Sequence, residues 1–125
     1  MSIFSGKRRF LGGVFVTIFF LMPSVGWSAD AWVSGKVTEV TLSASEWGGG
    51  CMAKLSSSPS GALSGCNADW VTFSCSGVFT DNVRAYRMYD QAQLALVTDK
   101  TVSVRITNDQ TANGYCFATD FYLLK

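Results

Sequence analysis

The chain has 125 residues, of which 10 are Lys or Arg, 9 are Asp or Glu, 4 are Cys and none is His, and 48% are apolar. This length predicts one domain. The lack of His excludes Ser-His-Asp and Cys-His nucleophiles and every zinc site that needs an imidazole. The near-balanced charge lacks the basic excess typical of nucleic-acid-binding proteins, so we expect no nucleic-acid partner.

The first 29 residues have the pattern of a secretory signal peptide. Three basic residues precede a 13-residue apolar run at residues 10–22, which ends at Pro23 and is followed by small residues. The run is shorter than the roughly 20 apolar residues that cross a bilayer, so it predicts cleavage and no membrane anchor in the mature protein. We therefore expect export to the periplasm or the medium.

The cleavage point has two candidates. Cleavage after Ala29 leaves a mature domain of residues 30–125, whereas the small residues on both sides of Asp30 also permit cleavage after Ala31. Removing the leader leaves seven basic and nine acidic residues. This mildly acidic balance is unfavourable for binding an anionic bilayer or nucleic acid.

The mature chain begins with a predicted strand at residues 32–42, which is rich in Val and Thr. A glycine-rich connection at residues 45–50 follows and contains Trp47. Sugars stack on exposed aromatic rings, so Trp47 is a candidate ligand-binding residue, although it can also close over the core as an apolar lid. Trp32 and Ser34 are also candidate ligand-binding residues. They can equally be ordinary residues of a strand, which has one solvent-exposed face and one buried face.

Residues 51–56 and 69–76 alternate in polarity and predict two strands of a hairpin, joined by a long loop at residues 57–65. One register places six inward-type residues, three from each strand, on the same face. Its opposite partners are Cys51 with Cys75, Ala53 with Phe73, and Leu55 with Val71.

All four Cys follow the leader, and an even number in an exported chain predicts two disulfides. Opposite residues of a hairpin lie close enough for a disulfide, so the register favours Cys51–Cys75 and leaves Cys66 for Cys116. Cys51–Cys66 with Cys75–Cys116 is the alternative. No Cys-x-x-Cys pair exists to begin a zinc site, and we expect neither a metal nor a cofactor.

The second half of the chain changes its periodicity. Apolar residues recur at three-to-four spacing over residues 81–97 and predict an amphipathic helix capped by Thr80 or Asp81. A strand, a polar loop and a last strand follow at residues 101–107, 108–114 and 115–124. Five strands with one helix after the third predict a mainly β fold, a five-stranded oligonucleotide/oligosaccharide-binding (OB)-like Greek-key barrel. An α+β open antiparallel sheet with one packed helix is the alternative.

Several short motifs accompany this order of elements: Trp-Val-Ser-Gly at residues 32–35, Cys51, Cys66, Tyr-Asp-Gln-Ala at residues 89–92 and Val-Arg-Ile at residues 104–106. In these motifs the chain resembles the small receptor-binding B subunits of AB5 toxins, of the subtilase-cytotoxin and typhoid-toxin type. The segment Cys-Asn-Ala-Asp-Trp at residues 66–70 is similar to a Cys-x-x-x-Trp strand in other small secreted bacterial proteins. That second resemblance supports the Cys66–Cys116 disulfide.

The resemblance to toxin subunits implies glycan binding without catalysis, with Ser34 in the position of a strand serine that contacts sialic acid. We therefore expect an exported, non-enzymatic binding domain with Trp32, Ser34 and Trp47 at its ligand site. A structural or protein-interaction role in the cell envelope, as an inhibitor or accessory subunit, is the alternative. Nothing in the spacing of Asp69 and Asp81 pairs them for glycoside hydrolysis. The sequence leaves open whether copies of the chain form a homo-oligomer.

Overall fold

The computed structural model describes residues 29–125, so the predicted signal peptide, apart from Ala29, lies outside the described residues. The described part contains five strands, one long helix and two short helical turns. Their bounds are β1 Asp30–Leu42, a 3-10 turn at Trp47–Gly49, β2 Cys51–Leu55, α1 Pro59–Ala62, β3 Trp70–Thr72, α2 Asn82–Thr98, β4 Thr101–Ala112 and β5 Tyr115–Leu123. No helix within this part is long and apolar enough to span a bilayer.

The five strands close into a barrel in the order β1-β2-β3-β5-β4, and α2 lies between β3 and β4 in the chain. β1 has two partners, because residues 30–36 pair with β4 and residues 37–42 pair with β2. The pairings are antiparallel except that of β3 with β5. The prediction of a mainly β, OB-like barrel with one helix after the third strand is therefore confirmed, and the ring is closed.

Side chains that alternate along the strands fill the inside of the barrel. Val33 of β1 and Val104 of β4 point inward and are almost fully buried. Phe73, which follows β3, is completely buried and packs edge-on against Phe121 of β5, with 5.7 Å between the ring centroids. Two-residue periodicity is the pattern from which these strands are predicted, and here it separates the core from the outer wall.

α2 packs against β1, β2 and β5 through the predicted apolar stripe. The buried members of the stripe are Ala85, Tyr89, Ala92 and Ala95. Asp81 is the cap, since its carboxylate accepts a hydrogen bond from the Arg84 N–H at 2.8 Å. Burial raises the pKa of the Tyr89 phenol above its ordinary value, and the charge of Asp90 raises it further.

The register of the β2–β3 hairpin differs from the prediction by two residues. Ala53 pairs with Val71 and not with Phe73. The ladder ends after β3, where Ser74 adopts a left-handed φ of 60° and the chain bends away. Because a shift of two residues keeps each side chain on the same face, the set of buried residues is as predicted. Cys75 reaches its partner from beyond this bend.

The predicted polar loop at residues 108–114 is wrong over most of its length. β4 continues to Ala112, and the chain reverses in the two residues Asn113 and Gly114. Their φ values of 53° and 83° are both positive, as a type I′ hairpin turn requires. The register of β4 against β5 shifts between Thr107 and Thr111, so alternation breaks there and the sequence reads as a loop.

Two disulfides join Cys51 to Cys75 and Cys66 to Cys116, with Cα–Cα distances of 5.5 and 5.2 Å. This is the predicted pairing, and the alternative pairing does not form. Cys51 and Cys75 are not opposite partners in the ladder, however, because Cys75 lies beyond the bend at Ser74. The first disulfide ties the bend after β3 to the start of β2, and the second ties the segment after α1 to β5. Two disulfides are typical of proteins from an oxidising, exported environment.

Residues 48–50 lie against the outer face of β2 and β3. Met52 and Thr72 point away from the barrel interior, yet just 2% and 0% of their surfaces are exposed. The Gly49 carbonyl accepts a hydrogen bond from the Ser76 N–H at 3.0 Å. Gly49 has a φ of +76°, and a Cβ at this position would collide with the Thr72 hydroxyl. The connection between β1 and β2 therefore seals this face of the barrel.

The C66A/C116A double variant is expected to lose about 3–4 kcal/mol of unfolding free energy, because the cross-link no longer restricts the unfolded chain. The disulfide closes a loop with a sequence separation of 50. Urea unfolding followed by tryptophan fluorescence measures the change, and C51A/C75A should show a loss of similar size. An unchanged urea midpoint in either double variant would contradict this expectation.

Gly49→Ala is expected to destabilise the protein by about 2–4 kcal/mol, since it combines a strained φ with a collision against a buried hydroxyl. Gly61→Ala is the matched control, because nothing lies within 4 Å of a Cβ at that position. Its stability should stay the same or rise by about 0.5 kcal/mol. Thermal midpoints from circular dichroism compare the two variants, and equal midpoints would show that the loop is not pressed against β3.

Candidate functional site

Trp32 and Ser34 lie on the outer wall of the barrel, because Val33 between them points inward. The exposed fraction of Trp32 is 52%, and that of Tyr122 on β5 is 53%. The centroids of these two rings are 5.5 Å apart and their planes are tilted by 46°. The pair therefore forms an aromatic patch that reaches from β1 across β4 to β5.

A row of hydroxyl groups runs beside the two rings. Ser34 is the strand partner of Ser103 on β4, and Ser103 is the partner of Tyr122 on β5. The Ser34 hydroxyl donates a hydrogen bond to the Ser103 Oγ, with 3.3 Å between the oxygens. Each hydroxyl has one donor and two acceptor sites, so this single bond leaves both of them able to bind a further polar group.

Charged groups complete the wall next to Trp32. Arg105 is the strand partner of Trp32 on one side and of Asp120 on the other. Its Nη2 lies 2.6 Å from the Asp30 Oδ2, and its Nη1 lies 3.8 Å from the Asp120 Oδ2. The Thr119 hydroxyl also donates to the Asp120 carboxylate, at 3.0 Å. We call the following group the outer aromatic surface: Trp32, Ser34, Ser103, Arg105, Asp120 and Tyr122.

Trp47 lies in another part of the molecule. Its exposed fraction is 51%, and its ring packs edge-on against Tyr115, with 5.7 Å between the centroids. Tyr115 begins β5, whereas Tyr122 lies seven residues further along the same strand. At about 3.3 Å per residue, the two aromatic pairs are roughly 20 Å apart. The structure thus brings Trp32 and Ser34 together and places Trp47 elsewhere.

Two open clefts flank the loop that carries Trp47. One has a volume of about 260 Å³ and is lined in part by Glu46, Cys75 and Tyr86. The other has a volume of about 310 Å³ and lies between the loop and the β4–β5 turn, next to Phe79 and Asn113. Neither cleft is lined by a residue of the outer aromatic surface.

The face on which OB barrels commonly bind ligands is not accessible in this protein. That face belongs to strands 2 and 3 and lies between the loops that follow strands 1 and 4. Here the two loops touch, since the Gly48 N–H donates to the Asn113 Oδ1 at 2.8 Å. Met52 and Thr72 lie beneath the glycines and are buried. A ligand must therefore use the clefts beside the loop or another part of the barrel wall.

Sequence reasoning missed Tyr122 and Arg105 as members of the site. Alternation along the last strand marks Tyr122 as an outward residue, but its contact with Trp32 depends on the register of three strands. That register contains an irregularity between Arg105 and Ile106, which the sequence does not reveal. The sequence therefore indicates that Tyr122 and Arg105 are exposed, but it does not indicate that they are neighbours of Trp32.

The two acidic residues considered for glycoside hydrolysis lie apart from the outer aromatic surface. Asp81 caps α2, and Asp69 is an exposed residue with a φ of 72° in the turn before β3. Neither lines one of the two clefts. Among residues 29–125, no group of three or more Cys, Asp or Glu side chains is arranged to hold a metal ion.

Comparison with known proteins finds no relative of this chain. The chain matches no protein-family model, no curated protein and no solved structure. The resemblance to toxin B subunits consequently stays a prediction from short motifs. A function for this barrel has to be inferred from the geometry of its own surface.

Proposed function

We propose that the chain is an exported, non-enzymatic binding domain that recognises a glycan through the outer aromatic surface. The observation that carries the proposal is the pair of half-exposed rings of Trp32 and Tyr122. They lie side by side on a wall whose other members are hydroxyl and charged groups. Exposed aromatic area next to a few convergent polar groups is typical of a site for an amphipathic ligand.

A pyranose ring matches this arrangement, because it has C–H groups on one face and hydroxyls around its edge. The C–H face can stack on Trp32, while edge hydroxyls exchange hydrogen bonds with Ser34 and Ser103. Covering the exposed half of an indole removes about 100 Å² of apolar surface, which stabilises a complex by about 2–3 kcal/mol. One such site gives weak affinity, so the ligand should be presented in many copies.

The predicted leader and the two disulfides support export as the setting of this function. The destination that we propose is the periplasm or the growth medium, where surface glycans are accessible. No cofactor or catalytic group is part of the proposed site.

Trp32→Ala is expected to lower binding to an immobilised multivalent glycan panel by about tenfold or more, because it removes the stacking surface. Trp47→Ala is the matched control, since Trp47 has an exposed fraction of 51% against 52% for Trp32 but lies at the other end of β5. Its binding should be unchanged. Surface plasmon resonance measures both variants, and circular dichroism shows that both are folded.

Three results would contradict the proposal in different ways. Unchanged binding by Trp32→Ala would remove the outer aromatic surface from the site, and loss in Trp47→Ala alone would move the site to the loop. No binding across the whole panel would reject glycan recognition. A stoichiometric complex with an envelope protein would then favour the alternative, a structural or protein-interaction role.

The exported protein is expected to begin at Asp30. Asp30 and Ala31 are the first residues of β1 and pair with β4, and the Asp30 carboxylate accepts a hydrogen bond from Arg105 at 2.6 Å. Cleavage after Ala31 would remove these pairs and the ion pair, whereas cleavage after Ala29 removes only the hydrogen bonds of Ala29 with Thr107 and Asn108. Intact-mass measurement on protein from the periplasmic and medium fractions distinguishes the two cleavage points. A mature chain that begins at Trp32 would contradict the expectation.

A further inference from the structure

We infer that a second copy of this chain binds the outer side of α2, so that the two α2 helices lie antiparallel across a two-fold axis. The inference concerns a partner and does not depend on the proposed glycan binding. A line of exposed side chains along α2 is the observation that leads to it.

The side of α2 that faces away from the barrel is partly apolar. We call the following group the outer stripe: Val83, Arg87, Asp90, Leu94 and Val97. Its members recur at intervals of four and three residues and lie across the helix from the buried members of α2. The exposed fractions of Val83, Leu94 and Val97 are 60%, 50% and 83%. A solvated helix face is ordinarily polar, whereas this spacing of apolar residues is typical of a seam between paired helices.

Arg87 and Asp90 lie in the middle of the outer stripe, and both are exposed. The salt bridges formed within residues 29–125 join other side chains, so neither of the two is paired there. The α-amino group that leader cleavage creates lies at the start of β1 in the barrel wall, whereas the outer stripe faces away from the barrel. One cation and one anion are therefore available to a partner of this face.

Charge complementarity favours the antiparallel arrangement of two copies. In a parallel two-fold pair, equivalent residues face one another, so that Arg87 would meet Arg87 and Asp90 would meet Asp90. In an antiparallel pair, Arg87 of each copy can face Asp90 of the other, and the two-fold axis repeats the contact. The same register places Val83 opposite Leu94 of the second copy, because each lies four residues outside the charged pair. Two ion pairs at the centre are thus flanked by two apolar contacts.

The length of α2 sets the strength of this contact. The helix has 17 residues and is therefore about 25 Å long. Two helices of this length bury about 1,000 Å² in total, which is below the area of a standard stable interface. We expect a reversible dimer with a dissociation constant on the order of 100 μM.

Arg87→Asp and Asp90→Arg are the two variants that test the inference. In a pair of Arg87→Asp chains acids face acids, and in a pair of Asp90→Arg chains arginines face arginines. Each variant is expected to self-associate about tenfold more weakly than the unmodified exported protein, because like charges meet at the seam. An equimolar mixture of the two is expected to restore the dimer, since the acids of one chain then face the arginines of the other. Sedimentation equilibrium at up to about 1 mM protein and low salt measures the association.

Two further variants separate the seam from net charge and from general surface effects. Asp109→Arg on β4 is the matched control, since Asp109 is exposed and its substitution changes the net charge as much as Asp90→Arg does. It should self-associate like the unmodified protein. Leu94→Gln removes the apolar contact and keeps a good helix former, so association should weaken by about tenfold. Circular dichroism shows whether each variant is folded.

Each result decides for or against the inference. An unmodified protein that is monomeric at about 1 mM would overturn it. A dimer that neither charge variant weakens would place the contact elsewhere, and a mixture that stays monomeric would reject the antiparallel register. An assembly of more than two copies would reject the two-fold pairing. If a charge variant does not fold, Leu94→Gln decides. Glycan binding by a monomeric protein would overturn the inference and leave the proposed function in place.

Discussion

The double pairing of β1 is the constraint on which this barrel depends. Residues 30–36 bond to β4 and residues 37–42 bond to β2, so one strand closes the ring and joins its two sides. The register irregularity between Val37 and Glu39 allows the strand to turn from one neighbour to the other. Closure leaves few unpaired backbone groups at sheet edges and fixes the outward side chains of β1 relative to those of β4. The spacing between Trp32 and Arg105 follows from it.

The glycine-rich connection after β1 determines which surface remains for a ligand. By lying on Met52 and Thr72 it buries the face that barrels of this type commonly expose. Phe79 adds to the cover, since it packs on the outward Phe117 of β5 with 5.5 Å between the ring centroids. The domain thereby obtains a second apolar layer outside the barrel, at the expense of an accessible groove. The accessible surfaces that remain are the clefts beside the loop and the wall of β1, β4 and β5.

Much of this architecture follows from periodicity and from cysteine position, and the errors have local causes. The order of elements, the helix with its Asp81 cap and the disulfide pairing are all accessible from the sequence. The hairpin register is not, because a shift of two residues keeps the same side chains on the inward face, so the alternation of polarity fits both registers. The length of β4 is not accessible either, because a bulge before Thr111 interrupts alternation. For the site, Trp32 and Ser34 are neighbours in the sequence pattern, whereas Tyr122 joins them through strand pairing.

The two aromatic pairs, Trp47 with Tyr115 and Trp32 with Tyr122, lie in different structural settings. Trp47 packs on Tyr115 where the β1–β2 loop meets the β4–β5 turn, and the hydrogen bond from Gly48 to Asn113 joins the same two segments. Its ring therefore belongs to the contact between these two segments. Trp32 lies on a regular strand pairing that needs no indole, because a smaller β-branched residue would fit the pleated wall equally well. The exposed half of the Trp32 indole is the apolar surface on which the proposed glycan would stack.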